Sequence, residues 1–168
     1  RLTLKPFKED EFPLLMKWVE NEEQMTVWSG SAFTFPLTEK QLTAYQADKK
    51  QVAFSAFSNE TGECIGHIAI GRINNRHRSA RIGKVLIGDP ALRGKGLGEE
   101  MMREAVRFAF HHLRLHKITL GVYEQNARAI ACYERIGFEK EGLLKDHARV
   151  GDDYWNMWEM GLIKNTQV

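Results

Sequence analysis

The stretch Arg93-Gly94-Lys95-Gly96-Leu97-Gly98 puts three glycines and two cations into six positions. Glycines let a backbone pass close to a ligand, and the first N–H groups of a helix that follows have no intrahelical partner. Such a turn suits a pyrophosphate. Arg93 and Lys95 bring positive charge to the same place, where each hydrogen bond to a charged group contributes roughly 1.5–3 kcal/mol. Spacing excludes two common phosphate binders. The dinucleotide pattern G-x-G-x-x-G needs glycine where Glu99 stands, and a P-loop needs Ser or Thr after Gly94-Lys95, where Gly96 follows.

To present that turn, the chain needs a strand before it and a helix after it. Val85-Leu86-Ile87 supplies the strand, and Met101, Ala105, Phe108 and His112 share one face of a helix expected over 97–113. Upstream, a first strand is expected over 1–7. A helix over 9–20 follows, with Phe12, Leu15, Met16 and Val19 inward and Glu9, Asp10 and Glu11 in its first turn. Glu20, Glu22 and Glu23 read as its solvated end, or as an attractor for a cationic acceptor. Thr38-Glu39-Lys40-Gln41 is a capping box for a short helix through Leu42 and Tyr45. Strands over 51–57, 64–73 and 79–87 should form an antiparallel meander, followed by a strand over 117–123. Asn126 caps a helix that Gly137 stops, Phe138 enters a strand, and a last strand lies near 155–162. The order βααβββαβαββ describes one α+β domain over residues 1–168 with a mixed sheet.

Composition narrows the function. A chain of 168 residues that is 43% hydrophobic builds a real core, and a net charge of +2 is too small for a nucleic-acid or anionic-membrane footprint. Between Cys64 and Gly88 the only charges are basic, among them Arg72, Arg76, Arg78, Arg81 and Lys84, which reads as a solvated hairpin because no exposed aromatics accompany them. Two cysteines, Cys64 and Cys132, fit free thiols in a reducing cytoplasm. Nothing reads as a membrane span or secretory signal, although a chain opening at Arg1 leaves room for a trimmed leader. His111, His112 and His116 complete no metal-ligand pattern.

Read as Arg-x-x-Gly-x-Gly, with Asp89-Pro90-Ala91-Leu92 ahead of it, the turn resembles the acetyl-CoA loop of the GCN5-related N-acetyltransferases. Asn126-Ala127-Arg128-Ala129-Ile130-Ala131-Cys132-Tyr133-Glu134-Arg135-Ile136-Gly137-Phe138 is similar to that family's second signature, N-x-x-A-x-x-x-Y-x-x-x-G-F. The resemblance covers 65–138 well and is nearest the branch of ribosomal-protein N-terminal and polyamine acetyltransferases. It implies a three-layer domain whose mostly antiparallel sheet has two central parallel strands that splay apart, here 84–88 and 117–123. Acetyl-CoA would be held by Arg93, Gly94, Lys95, Gly96, Leu97 and Gly98, by Asn126 and Arg135, and by the backbone of Leu86, Ile87 and Gly88, where an N–H would polarise the thioester carbonyl. Tyr133 matches the acid that protonates the departing thiolate, and its phenol, near pKa 10, is protonated at neutral pH. The first two helices would line the acceptor pocket, and many relatives pair into dimers.

The acceptor would be a protein N-terminus, or alternatively a polyamine or other small-molecule amine, a CoA-binding module without turnover being the non-catalytic alternative; the acceptor's acidity decides how much base is needed. A nitrogen near pKa 10.4 must be deprotonated at a cost of about 4.6 kcal/mol at pH 7, an α-amine near 7.8 at about 1. Related enzymes often carry glutamate on the first splayed strand, where this chain has Arg81, which leans the reading towards an α-amine. His67, Asp89, Tyr123 and Glu124 are candidate bases, none of them assigned. Cys132 beside Tyr133 reads as inert, so the amine attacks the thioester directly with no acyl-enzyme. Trp155 and Trp158 should face opposite sides of one strand, one in the core and one bordering the acceptor cleft.

Overall fold

Strand and helix meet at the glycine turn as their periodicities require. In the computed structural model, which describes residues 1–165, strands and helices follow the expected order with one helix added. β1 (Leu2–Pro6) is followed by a 3-10 turn at Glu9–Glu11, so the three acids precede α1 (Phe12–Trp18) rather than opening it. The added helix is α2 (Glu22–Ser29), where a solvated helix end was expected. Asn21 Oδ1 accepts the Gln24 N–H at 2.8 Å, which satisfies one orphan donor of the first turn, and Gln24 Oε1 accepts the N–H of Glu20, the residue before the cap, at 2.9 Å. Met25 and Trp28, one turn apart, then bury its inner face. α3 (Glu39–Ala47) starts at Thr38, whose hydroxyl accepts the Gln41 N–H. The Gln41 side chain reaches back to the Thr38 hydroxyl, with Nε2 donating at 3.1 Å, rather than to its backbone N–H, and it also ties down Thr34 and Pro36.

β2 (Val52–Ser58), β3 (Cys64–Asn74) and β4 (Ser79–Ile87) form the antiparallel meander. α4 (Leu97–Arg107) runs on into a π turn at Phe108–His112, after which come β5 (Lys117–Tyr123) and α5 (Ala127–Ile136). Asn126 Oδ1 caps α5 through the Ala129 N–H at 3.2 Å. Gly137 ends it at φ +122°, with its N–H returned to Tyr133 and Glu134 carbonyls, a backbone shape that favours glycine. β6 (Glu139–Val150) and β7 (Asp153–Ile163) close the chain as a hairpin.

The seven strands lie in the order β1-β2-β3-β4-β5-β7-β6, and every neighbouring pair is antiparallel except β4 with β5. One face packs on α4 and α5 around Ile68, Ile82, Met101, Ala105, Ile118 and Met160, all at most 2% exposed. The other packs on α1–α3 around Phe12, Leu15, Met25 and Leu42. This is the three-layer, mixed-sheet α+β domain that the resemblance implies.

Candidate active site

Among the described residues, the sheet opens at its single parallel pair. β4 and β5 pair over Ser79–Arg81 and Lys117–Thr119 alone, and beyond that they diverge. A bulge on β4 contributes: four residues from Gly83 to Leu86 face three from Ala69 to His67, and Lys84 takes up the extra residue at φ +53°. A cavity of about 1410 Å³ opens at the gap, walled by α2, β4, β5, α5 and the β6–β7 hairpin.

The glycine turn sits where β4 ends. Gly94 and Gly96 have φ of +76° and +82°, and Gly96 is the residue that caps α4. Gly98 has an ordinary φ and open space at its Cα. The Leu97 side chain is buried in the core, which leaves only its backbone to the turn. Lys95 is exposed. Arg93 reaches back to the strand end, with Nε donating to the Ile87 carbonyl at 2.9 Å and Nη2 to that of Gly88 at 3.3 Å. A cation that the motif reading did not single out stands beside the turn: an atom at the Cβ position of Gly94 would lie 3.5 Å from Arg128 Nη1. The expected Arg135 instead grips Glu99 on α4 at 2.7 and 2.9 Å. That pairing, with Arg103 on the other carboxylate oxygen, holds Glu99 below the usual carboxylate range and raises Arg135. Asn126 lines the cavity while capping α5.

Of the three strand residues, Gly88 spends its N–H on the Ile65 carbonyl at 2.9 Å. Alternation along a strand then turns the Ile87 amide to the opposite, open edge, so Ile87 rather than Gly88 has an N–H on the splayed side. Gly88 is required for another reason. A Cβ there would collide with the Trp18 indole, which covers it.

Tyr133 lines the cavity from α5, with its ring 6.1 Å from that of Phe138. Burial, with Cys132 as a minor contributor, pushes its phenol up to about 12. The phenol therefore stays protonated throughout the physiological range. Full transfer from it to a free thiolate near 8.5 would be uphill by about 5 kcal/mol.

On the acceptor side, the Arg81 guanidinium crosses β5 above Gly121 and meets Glu159 of β7 at 2.7 and 2.9 Å, with Thr119 Oγ1 at 3.4 Å. Glu159 is opposite Gly121 in the ladder, and both ionic side chains line the cavity. Sequence reading missed Glu159 because nothing local marks a residue that becomes relevant across three strands. Lys84 lies 5.1 Å from the Tyr45 ring, and burial with Arg72 nearby lowers its ammonium. From β6, a bulge between Leu144 and Ala148 sends Leu144, His147 and Arg149 into the wall, pinned by Asn156 through the Asp146 N–H at 2.8 Å.

The candidate bases separate. His67 is 1% exposed inside the core under α1–α3, hydrogen-bonded to the Tyr45 hydroxyl at 2.8 Å, and burial pulls it down to about 3. Asp89 caps the Ala91 N–H, and Glu124 accepts from Asn156 at 2.8 Å. Tyr123 lines the cavity, its phenol raised by burial. Of Glu20, Glu22 and Glu23, only Glu23 is among the lining residues. Trp158 packs on the core beneath Lys140, and Trp155 packs edge-on against Tyr123 at 5.3 Å, one residue layer behind the cavity wall.

A family model described as Acetyltransferase (GNAT) domain matches residues 1–139. The probable N-acetyltransferase YjcK of Bacillus subtilis is 30% identical over 142 residues, which cover 82% of this chain and 75% of that protein. Spermidine N(1)-acetyltransferase of Vibrio cholerae is 26% identical over 166 residues, covering 98% and 94%. The crystal structure of spermidine N-acetyltransferase from Vibrio cholerae in complex with CoA and spermine has the same fold, with a TM-score of 0.83 at 24% identity over 96% of this chain and 95% of that one.

Proposed function

This chain belongs to the GNAT acetyltransferase family and is an acetyl-CoA-dependent N-acetyltransferase, and we propose that its acceptor is an α-amine, such as a protein N-terminus, which attacks the thioester directly within a ternary complex. The observation that carries the acceptor assignment is the charge of the cavity. Among the described residues its one half-buried carboxylate, Glu159, is already paired with Arg81, while Arg72 and Lys84 add positive charge. A polyamine has several cations to place, and an α-amine has one. The polyamine reading keeps two supports: the spermidine acetyltransferases among its relatives, and exposed Glu23 at the rim.

In this reading the pyrophosphate lies on the N–H groups of the turn 93–98, with Arg128 and Lys95 beside it and Asn126 at the wall. The Ile87 N–H stabilises the thioester oxygen as charge develops on it. Tyr133 serves as the general acid by giving its hydrogen bond to sulfur as the C–S bond breaks. One acetyltransferase domain over residues 1–168 is supported by a single sheet whose strands run from Leu2 to Ile163. Unpaired Cys64 and Cys132 are in keeping with a cytoplasmic setting. A dimer would use an open sheet edge, β1 or β6.

Thiol release from acetyl-CoA, measured with spermidine and with short peptides opening on Ala or Ser, tests the assignment. Turnover with peptides and none with spermidine is expected, and Tyr133→Phe should slow it. Turnover confined to spermidine would replace the α-amine acceptor with a polyamine.

A further inference from the structure

We propose that Lys84 and Arg72 form an anion subsite in the acceptor half of the cavity, and that the acceptor carries a carboxylate close to the amine that is acetylated. The inference rests on the α-amine reading above and names the second group of the acceptor that the site recognises.

Two bulges on neighbouring strands build the subsite. The β3 ladder slips between the Gly71–Arg81 and Asn74–Ser79 pairs, where Arg72 sits, and the β4 ladder slips between the Ala69–Gly83 and His67–Leu86 pairs, where Lys84 sits. Both residues hold left-handed backbone, at φ +50° and +53°, which residues with a Cβ adopt only at a cost. Both line the cavity. Two cations are thereby set side by side with little to balance them. Burial and the like charge of Arg72 lower the Lys84 ammonium, and among the described residues neither side chain makes an ion pair. The compensation present is partial. Lys84 Nζ stands 5.1 Å from the centre of the Tyr45 ring, and Asp48, at the end of α3, opposes the shift least strongly of its three causes while its Oδ1 accepts the Lys50 N–H. From β6, His147 and Arg149 line the same cavity.

The subsite is separate from the cofactor's phosphates. The turn 93–98 follows the far end of β4, whereas Arg72 is next to Gly71, the partner of the third residue of that strand. Ile87, whose N–H serves the thioester oxygen in the reading above, is three residues past Lys84, about 10 Å along a strand. The lysine stem and an acidic group on the acceptor close that gap from its two ends. A carboxylate placed there offsets the repulsion between Lys84 and Arg72, and a polyamine would instead add a third cation to them.

The test uses the full chain and acetyl-CoA. An Asp-initiated peptide should be acetylated with kcat/KM roughly tenfold or more above that of its Asn-initiated counterpart, and added salt should narrow the difference. Free alanine against alaninamide distinguishes the source of the charge: preference for the free acid assigns the subsite to an α-carboxylate, and preference confined to the peptides assigns it to an acidic side chain. Lys84→Met and Arg72→Gln should each bring the ratio of acid to amide towards one. Should Lys84→Met fail to fold, as its melting curve would show, the exposed Arg72→Gln is read alone. Titration of the CoA-loaded chain with N-acetylated Asp- and Asn-initiated peptides reads the same discrimination without turnover. Equal use and equal binding of acid and amide forms, or a preference that survives both substitutions, overturns the subsite. A wild type that acetylates spermidine and no α-amine overturns the reading beneath it, and the titration then still decides the subsite.

Discussion

The Arg81 guanidinium passes over Gly121 to end 2.7 Å from the Glu159 carboxylate, so the two central parallel strands and the next strand are bridged where they begin to part. The pair sits between water and core, with side chains 25% and 28% exposed, and its contribution to stability is correspondingly modest. Its position at the cavity floor is what gives it consequence.

Gly121→Ala puts a methyl group against the Met157 sulfur and 2.6 Å from Arg81 Nη2. Both are ends of flexible side chains, so the fold should lose only about 1 kcal/mol, while the displaced guanidinium alters the cavity wall and should lower turnover. Gly88→Ala meets the rigid Trp18 ring instead and should cost more stability. Melting temperature and kcat, measured on both variants, check the contrast.

Burial pushes the Tyr133 phenol up to about 12, so its proton is not lost in any ordinary assay buffer. The rate profile of the wild type should show no descending limb from this residue below about pH 11, and Tyr133→Phe should lower kcat roughly 10–100-fold without altering acetyl-CoA affinity. A limb near pH 9 that vanishes in Tyr133→Phe would contradict the buried setting.

His67 makes the fold acid-sensitive. Its ring is pulled from 6.5 to about 3 by burial first and by Lys84 second. Between those values the unfolded chain binds the proton and the folded chain does not. Stability is therefore fully present above about pH 6.5 and falls as the pH drops towards 3, by at most about 1.4 kcal/mol per pH unit. Urea unfolding at pH 7, 5.5 and 4.5 should show that decline, and His67→Phe combined with Tyr45→Phe should flatten its contribution.

Arg128 and Arg135, both on α5, should behave differently. Arg128 faces the glycine turn and Arg135 is engaged with Glu99. Arg128→Ala should weaken acetyl-CoA binding about tenfold, with a reduced dependence on salt, whereas Arg135→Ala should change it less than about twofold. Calorimetric titration at two salt concentrations distinguishes them.

Parts of the site carry a local signal in the sequence, and α2 is one of them. Asn21-Glu22-Glu23-Gln24 has the same capping spacing as Thr38-Glu39-Lys40-Gln41, and it is followed by Met25 and Trp28 at helical spacing, so α2 had a local signal. The π turn after Arg107 and the double bulge in β6 had none, since both answer to what packs against them.

By itself the sequence determined the features that arise from neighbours in the chain. The glycine turn, the Asn126 cap, the Gly137 stop and the strand alternation each depend on residues within a helical turn or a few strand positions, where backbone sterics and capping decide the outcome. Tertiary structure alone decided which distant groups share the cavity. Arg81 and Glu159 are 78 residues apart, and they meet because β7 inserts beside β5 and the ladder sets Glu159 opposite a glycine. The same holds for Glu23 facing the cleft while Glu20 and Glu22 do not, and for the Gly88 amide being spent on β3. Strand order and register are set by the packing of the whole sheet, and no short stretch of chain encodes them.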